Sequence, residues 1–167
     1  MIRVLGFDPG LANTGWGVID ADSRRMTAVS WGSITTPAGL PPGERLNIIF
    51  DKSSELIERY QPALAGIENL YFAKNVSSAM PVAQAKGVLL LALHRGGVRE
   101  SEFTPPQIKQ SITGSGRAEK AQVQEMIRLI LGLKEIPKPD HAADALGAAV
   151  CCFNNRLLID RGVKTGV

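Results

Sequence analysis

The chain has 167 residues, 44% of them hydrophobic and 21% charged, and a formal net charge of +3. That length suits one domain with one substantial core, able to stand without disulfides or a structural metal. The balance excludes a disordered or fibrous chain, and the charge is compatible with nucleic acid without establishing it.

No apolar run approaches membrane-spanning length. The longest, Gly87–Leu93, ends at His94-Arg95, so no membrane association is expected. The first residues lack a signal-peptide pattern and reach an acid at Asp8, so a cytoplasmic location is expected. Cys151 and Cys152 are adjacent; neighbours of this kind are poorly placed to bridge each other, and both read as reduced, buried thiols.

In chain order, Arg3-Val4-Leu5-Gly6-Phe7-Asp8 is a short apolar run stopped by Pro9-Gly10, a strand and its turn. Thr14–Asp20 returns antiparallel to it, and Met26–Thr35 supplies a third strand, completing a meander. The period then changes. Leu46, Ile49, Phe50, Ser53, Ile57 and Tyr60 fall on one helical face. Ala63–Glu68 reads as a buried strand ending on an acid, and Ser78–Arg95 as a helix. Val98–Thr104 is the last strand. Pro105–Thr113 is a short helix, Val123, Met126, Ile127, Ile130 and Leu131 mark another, and His141–Asn155 is the last. The order β-β-β-α-β-α-β-α-α-α predicts an α/β fold, a mixed five-stranded sheet with helices on its faces. Residues 1–156 form the expected domain, with 157–167 a flexible tail.

Two carboxylates close hydrophobic strands: Asp8 in Phe7-Asp8-Pro9-Gly10 and Glu68 in Gly66-Ile67-Glu68-Asn69. Acids just past buried strands sit at the sheet rim, where α/β proteins place their sites. If the two strands are neighbours the acids converge, and like charges at close range demand a proton or a cation between them. A divalent metal is the simplest answer, since hard cations take carboxylate and phosphate oxygens. A third group lies in Pro139-Asp140-His141-Ala142-Ala143-Asp144. His141 and Asp144 share a helix face, and the alanines around them let that face approach the sheet. Asp144 has poor helix propensity in such a run. Asp140, one position off the face, is expected to cap the helix.

The blocks Asp8-Pro9-Gly10, Thr14-Gly15-Trp16-Gly17, Ile67–Asn75, Gln84-Ala85-Lys86-Gly87, Gln107-Ile108-Lys109, Gly114–Lys120 and His141–Leu146, in this order and spacing, resemble the RuvC family of bacterial Holliday junction resolvases from about residue 2 to 155. The resemblance implies an RNase H-like fold and a structure-specific endonuclease that resolves four-way DNA junctions by paired symmetric nicks, in recombination and repair. It implies that Asp8, Glu68 and Asp144 are catalytic, metal-binding carboxylates, with His141 in the same set. Many members carry aspartate at the His141 position. An imidazole favours Mn²⁺ over Mg²⁺ more than a carboxylate does, and Asp140 is the alternative source of the missing carboxylate. Two Mg²⁺ or Mn²⁺ ions, roughly 3.5–4 Å apart, would then be bridged by Asp8.

Lys109 and Lys120 match basic positions that the family uses near the scissile phosphate. Arg117 stands just before a helix N-terminus, a favourable place for an anion, and Lys74 and Lys86 are expected as further contacts to the DNA backbone. Tyr71 lies in a segment that the family projects toward the junction, where an aromatic can stack on an unpaired base. The helix from Ser78 is apolar nearly all round, Val82, Ala83, Val88, Leu89, Leu90, Leu91 and Leu93, so it needs cover on both sides. The family is a homodimer through this region and works with the RuvA–RuvB branch-migration complex. Competing readings are ATP-dependent phosphoryl transfer, which lacks a Walker pattern and room for a second domain, a non-catalytic nucleic-acid-binding paralogue, and another RNase H-like nuclease.

Overall fold

A computed structural model describes residues 1–69 and 76–160. Strand β1 (Ile2–Asp8) runs antiparallel to β2 (Asn13–Ala21), and β2 to β3 (Met26–Thr35), which is the expected meander. Helix α1 (Pro42–Tyr60) returns the chain to β4 (Leu64–Glu68), which lies parallel to β1 on its other side. Helix α2 (Val76–Arg95) leads to β5 (Arg99–Phe103), parallel to β4. The five-stranded sheet has the order β3-β2-β1-β4-β5. Four helices follow: α3 (Pro105–Thr113), α4 (Lys120–Ile130), α5 (Asp140–Asn154) and α6 (Arg156–Asp160).

The sheet carries a core on each face, and its alternation sorts the side chains between them. Leu5, Phe7, Val18, Ala65 and Ile67 pack under α1 and α2, against Ile49, Ile57, Leu89 and Leu93. Val4, Ile19, Leu64 and Phe103 face α3, α4 and α5, against Ile108, Ile127, Leu146 and Phe153. All of these are at most 7% exposed, and full burial of each large apolar side chain contributes about 1.5–3 kcal/mol. Arg3 fixes the β1–β2 register with two hydrogen bonds of 2.8 Å, from Nε and Nη2, to the carboxylate of Asp20.

Helix α5 lies directly on the sheet backbone. A Cβ on Gly6 of β1 would collide with the carbonyl oxygen of Ala145, and one on Gly15 of β2 with that of His141. On the helix side Ala142, Ala145, Ala148 and Ala149 are wholly buried. Small residues on both surfaces permit this approach, as the alanine run suggests.

Two local expectations are corrected. The stretch after Arg156 is not loose from its start, because residues 156–160 form α6. Its Asp160 accepts a 2.9 Å hydrogen bond from Arg99 of β5, and the Arg156 guanidinium sits 3.9 Å from the centre of the Phe153 ring. Asp140 does not cap α5: Pro139 is the N-cap and makes no side-chain cap bond, while Asp140 is the first helical residue and turns to Lys120. Among the described residues no helix is long and apolar enough to cross a membrane. Cys151 and Cys152 are buried and free, with their thiols pushed up to about 11 and about 12 by burial.

Candidate active site

Strand alternation delivers the two rim acids to the same face. Val4 and Gly6 of β1 face α5, so Asp8, two residues further on, does too. In β4, Leu64 and Gly66 face α5, and Glu68 completes that row. The two strands are adjacent and parallel, with Phe7 opposite Ile67, so both rows end at one edge. Helix α5 starts over the same edge, because its carbonyl at His141 rests on Gly15, the partner of Asp8 in the β1–β2 ladder. His141 and Asp144 therefore hang above Asp8 from one helical turn.

The resulting geometry is tight. His141 Nδ1 lies 2.8 Å from Asp8 Oδ2. One donor atom each from Asp8, His141 and Asp144 lies within 4.8 Å of the others. Two ligands of a single hard ion at about 2.1 Å are at most about 4.2 Å apart, so small rotations suffice to bring the three onto one divalent cation. Glu68 adjoins this set from the Asp8 side, its carboxyl within hydrogen-bonding reach of Asp8. All four residues picked out by sequence meet at one place. Asp140 lies outside the three-donor group.

The electrostatics describe a site short of positive charge. Glu68 is pushed up to about 8, first by burial and then by the charges of Asp8 and Asp144. Burial also raises Asp8, against the opposing hydrogen bond from His141, and raises Asp144, against the opposing charge of Lys120. Carboxylates that burial and mutual repulsion hold toward their protonated forms are stabilised when a cation enters. The donor set, oxygen with one imidazole nitrogen, suits a divalent cation.

Lys109 and Lys120 open onto the same place. With Glu68 and Asp144 they line a cavity of about 180 Å³ whose wall includes Ile108 and Ile127. A capping box at the start of α3, in which the Thr104 side chain accepts from the Gln107 amide and Gln107 accepts from the Thr104 amide, sets the helix that carries Lys109. Arg117 is exposed on the loop before α4. Lys86 is half-buried and already engaged, its Nζ 2.8 Å from Glu102 and 3.1 Å from the Asn69 side-chain oxygen. Tyr71 and Lys74 lie outside the described residues.

Sequence reasoning missed the partnership of Asp140. Its carboxylate lies 3.1 Å from Lys120 Nζ, and that hydrogen bond holds Asp140 below its ordinary value. The one local hint was a lysine in the first turn of α4, where it opposes the helix dipole.

Known proteins resemble this chain in sequence and in fold. The model of the family described as crossover junction endodeoxyribonuclease RuvC matches residues 4–152. A protein of that name from Treponema denticola is 60% identical over 151 residues, covering 90% of this chain and 85% of its own. One from Brevibacillus brevis is 48% identical over 165 residues, covering 98% and 99%. Among solved structures, Thermus thermophilus RuvC superposes with a TM-score of 0.88 at 32% identity, covering 94% of this chain and 96% of that one. The same protein in complex with a Holliday junction substrate gives 0.86 at 30% identity with equal coverage. With its RNase H-like sheet, its rim of acids and these relatives, the chain belongs to the RuvC family of crossover junction endodeoxyribonucleases.

Proposed function

We propose that the chain is a structure-specific endodeoxyribonuclease that resolves four-way DNA junctions by hydrolysing one phosphodiester bond in each of two symmetric strands. The observation that carries this reading is the convergence of Asp8, His141 and Asp144 on donor positions within 4.8 Å, in a family whose named members are junction endonucleases.

The residues divide the work. Asp8, Glu68, Asp144 and His141 would hold two Mg²⁺ or Mn²⁺ ions. Such ions, when bound, supply Lewis acidity for an attacking water and for the leaving oxygen. The chain itself supplies the rest. The buried ends of β1 and β4 hold the carboxylates in fixed positions, so no reorganisation is needed as charge develops on the phosphate. Lys109 and Lys120 flank the cluster and present positive charge to the scissile phosphate. Arg117 extends the basic path, with Lys86 a further DNA-backbone contact only if DNA displaces its pairing to Glu102; Tyr71 and Lys74, DNA contacts by the family resemblance, lie outside the described residues.

A junction with near two-fold symmetry calls for two such sites related by a two-fold axis. On α2, Ala85, Leu89, Ala92 and Leu93 are buried in the chain's own core, whereas Met80, Ala83, Gly87 and Leu91 point to solvent. This outward row, with Met80 59% and Leu91 51% exposed, is the surface we assign to the homodimer.

Incubating the protein with a mobile four-way junction and with plain duplex, in each metal, tests the function. Paired symmetric nicks in the junction and none in the duplex are expected. Equal cutting of duplex and junction would favour a general RNase H-like nuclease instead, and binding without nicks a non-catalytic paralogue.

A further inference from the structure

The carboxylate cluster already has one positive charge of the chain's own beside it. Lys120 Nζ lies 3.1 Å from Asp140 Oδ2 and 3.8 Å from Asp144 Oδ2. Its ammonium acts on Asp8, Glu68 and Asp144 together, lowering each against the effect of burial. Lys109, on the same cavity, makes no ion pair of this kind among the described residues. A lysine opening α4 faces the positive end of the helix dipole, with no acid in that first turn to offset it. A side chain placed against a local rule is compensated elsewhere, here by two carboxylates on α5.

The two partners differ in kind. Asp140 is exposed and outside the donor group, while Asp144 belongs to it. A divalent cation that takes Asp144 meets the ammonium there. We propose that Lys120 is an internal counter-ion for Asp144, displaced when a divalent cation and a DNA phosphate arrive, with Asp140 as the post that keeps it at the rim. The contact then couples the two ligands. A phosphate that draws Lys120 away raises the affinity of the cluster for the cation, and the cation raises the affinity for DNA by the same factor. This inference rests on the reading of the cluster as a divalent-cation site.

The test is Mn²⁺ uptake by the full chain without DNA, followed by the electron paramagnetic resonance of free Mn²⁺. The wild type, Lys120→Met, Lys109→Met, Asp140→Asn and the Lys120→Met/Asp140→Asn pair are compared, each checked for folding by its melting curve. Lys120→Met is expected to tighten Mn²⁺ binding about five- to tenfold, a coupling of ordinary size, and Lys109→Met far less. Asp140→Asn is expected to weaken binding more when Lys120 is present than in the Lys120→Met background. Equal gains from the two lysine variants would reduce Lys120 to one positive charge among several and overturn the proposal, as would no gain at all. An additive cycle would remove Asp140 from it. A wild type that takes up no Mn²⁺ would instead defeat the cation-site reading on which all of this depends.

Discussion

His141 and Asp8 stand 133 residues apart in the chain, yet Nδ1 of one lies 2.8 Å from Oδ2 of the other. The pair ties the end of β1 to the first turn of α5. With Asp8 ionised the imidazole donates from Nδ1, which leaves the Nε2 lone pair for another partner. Removing the negative charge while keeping the shape, as in Asp8→Asn, is expected to lower junction cleavage by about 10²–10³-fold or more and to leave junction binding largely intact. Gel-shift and nicking assays on one synthetic junction separate the two, and undiminished cleavage would take Asp8 out of the chemistry. In His141→Asp the harder ligand is expected to lower the ratio of Mn²⁺- to Mg²⁺-supported rates several-fold.

The raised carboxylates give the cation-free protein a pH dependence with a definite sign. Glu68 titrates ordinarily at 4.5 and here at about 8. Below 4.5 the folded and unfolded chains both carry the proton, and the shift costs nothing. Between 4.5 and about 8 the unfolded chain ionises while the folded one does not, so stability falls as pH rises through that window. Asp8 and Asp144, raised by burial, act in the same direction. In chelator the melting temperature is expected to decline across this range, and less so in Glu68→Gln. Added Mn²⁺ should restore most at the alkaline end. A melting temperature that climbs with pH in chelator would contradict this account.

Lys109→Ala and Lys120→Ala are expected to weaken junction binding and to reduce the slope of log affinity against log salt by about 0.9 each, the share of one phosphate contact on duplex DNA. Fluorescence anisotropy between low and moderate salt reads the slope directly. Unchanged slopes in both variants would mean that neither side chain meets a phosphate.

Leu91, half exposed on α2, lies in the row assigned to the dimer. Leu91→Glu places a charge in an apolar contact and should shift the protein to a monomer in analytical ultracentrifugation at micromolar concentration. The same variant should lose the pairing of its nicks before it loses nicking. A wild type that sediments as a monomer even with junction DNA would overturn the assignment.

Much of this was legible in the sequence because it is governed by short-range periodicity. Asp8 and Glu68 are each the last residue of an apolar strand, and a strand's alternation is fixed by counting back from it. His141 and Asp144 are one turn apart, which sets their shared face without any knowledge of the fold. What escaped depends on contacts between elements. Asp140 follows Pro139 at a helix start, so local rules favour capping, and only the placement of α4 beside α5 brings Lys120 within 3.1 Å. Lys86 resembles a free surface cation until β5 sets Glu102 against it at 2.8 Å. Helix α6 was hidden for the same reason, since Asp160 is held by Arg99 from the far edge of the sheet.

The seating of α5 on bare strand backbone at Gly6 and Gly15 bears on how this enzyme family can change. Close-packed surfaces of this kind have no slack, so the helix can neither slip along its axis nor lift to make room. Gly15→Ala would push back the turn bearing His141 and is the surest way to spoil the spacing without touching a donor. Any adaptation to a cation of another size must therefore be made by exchanging the side chain at position 141 or its neighbours, because the scaffold behind them is rigid.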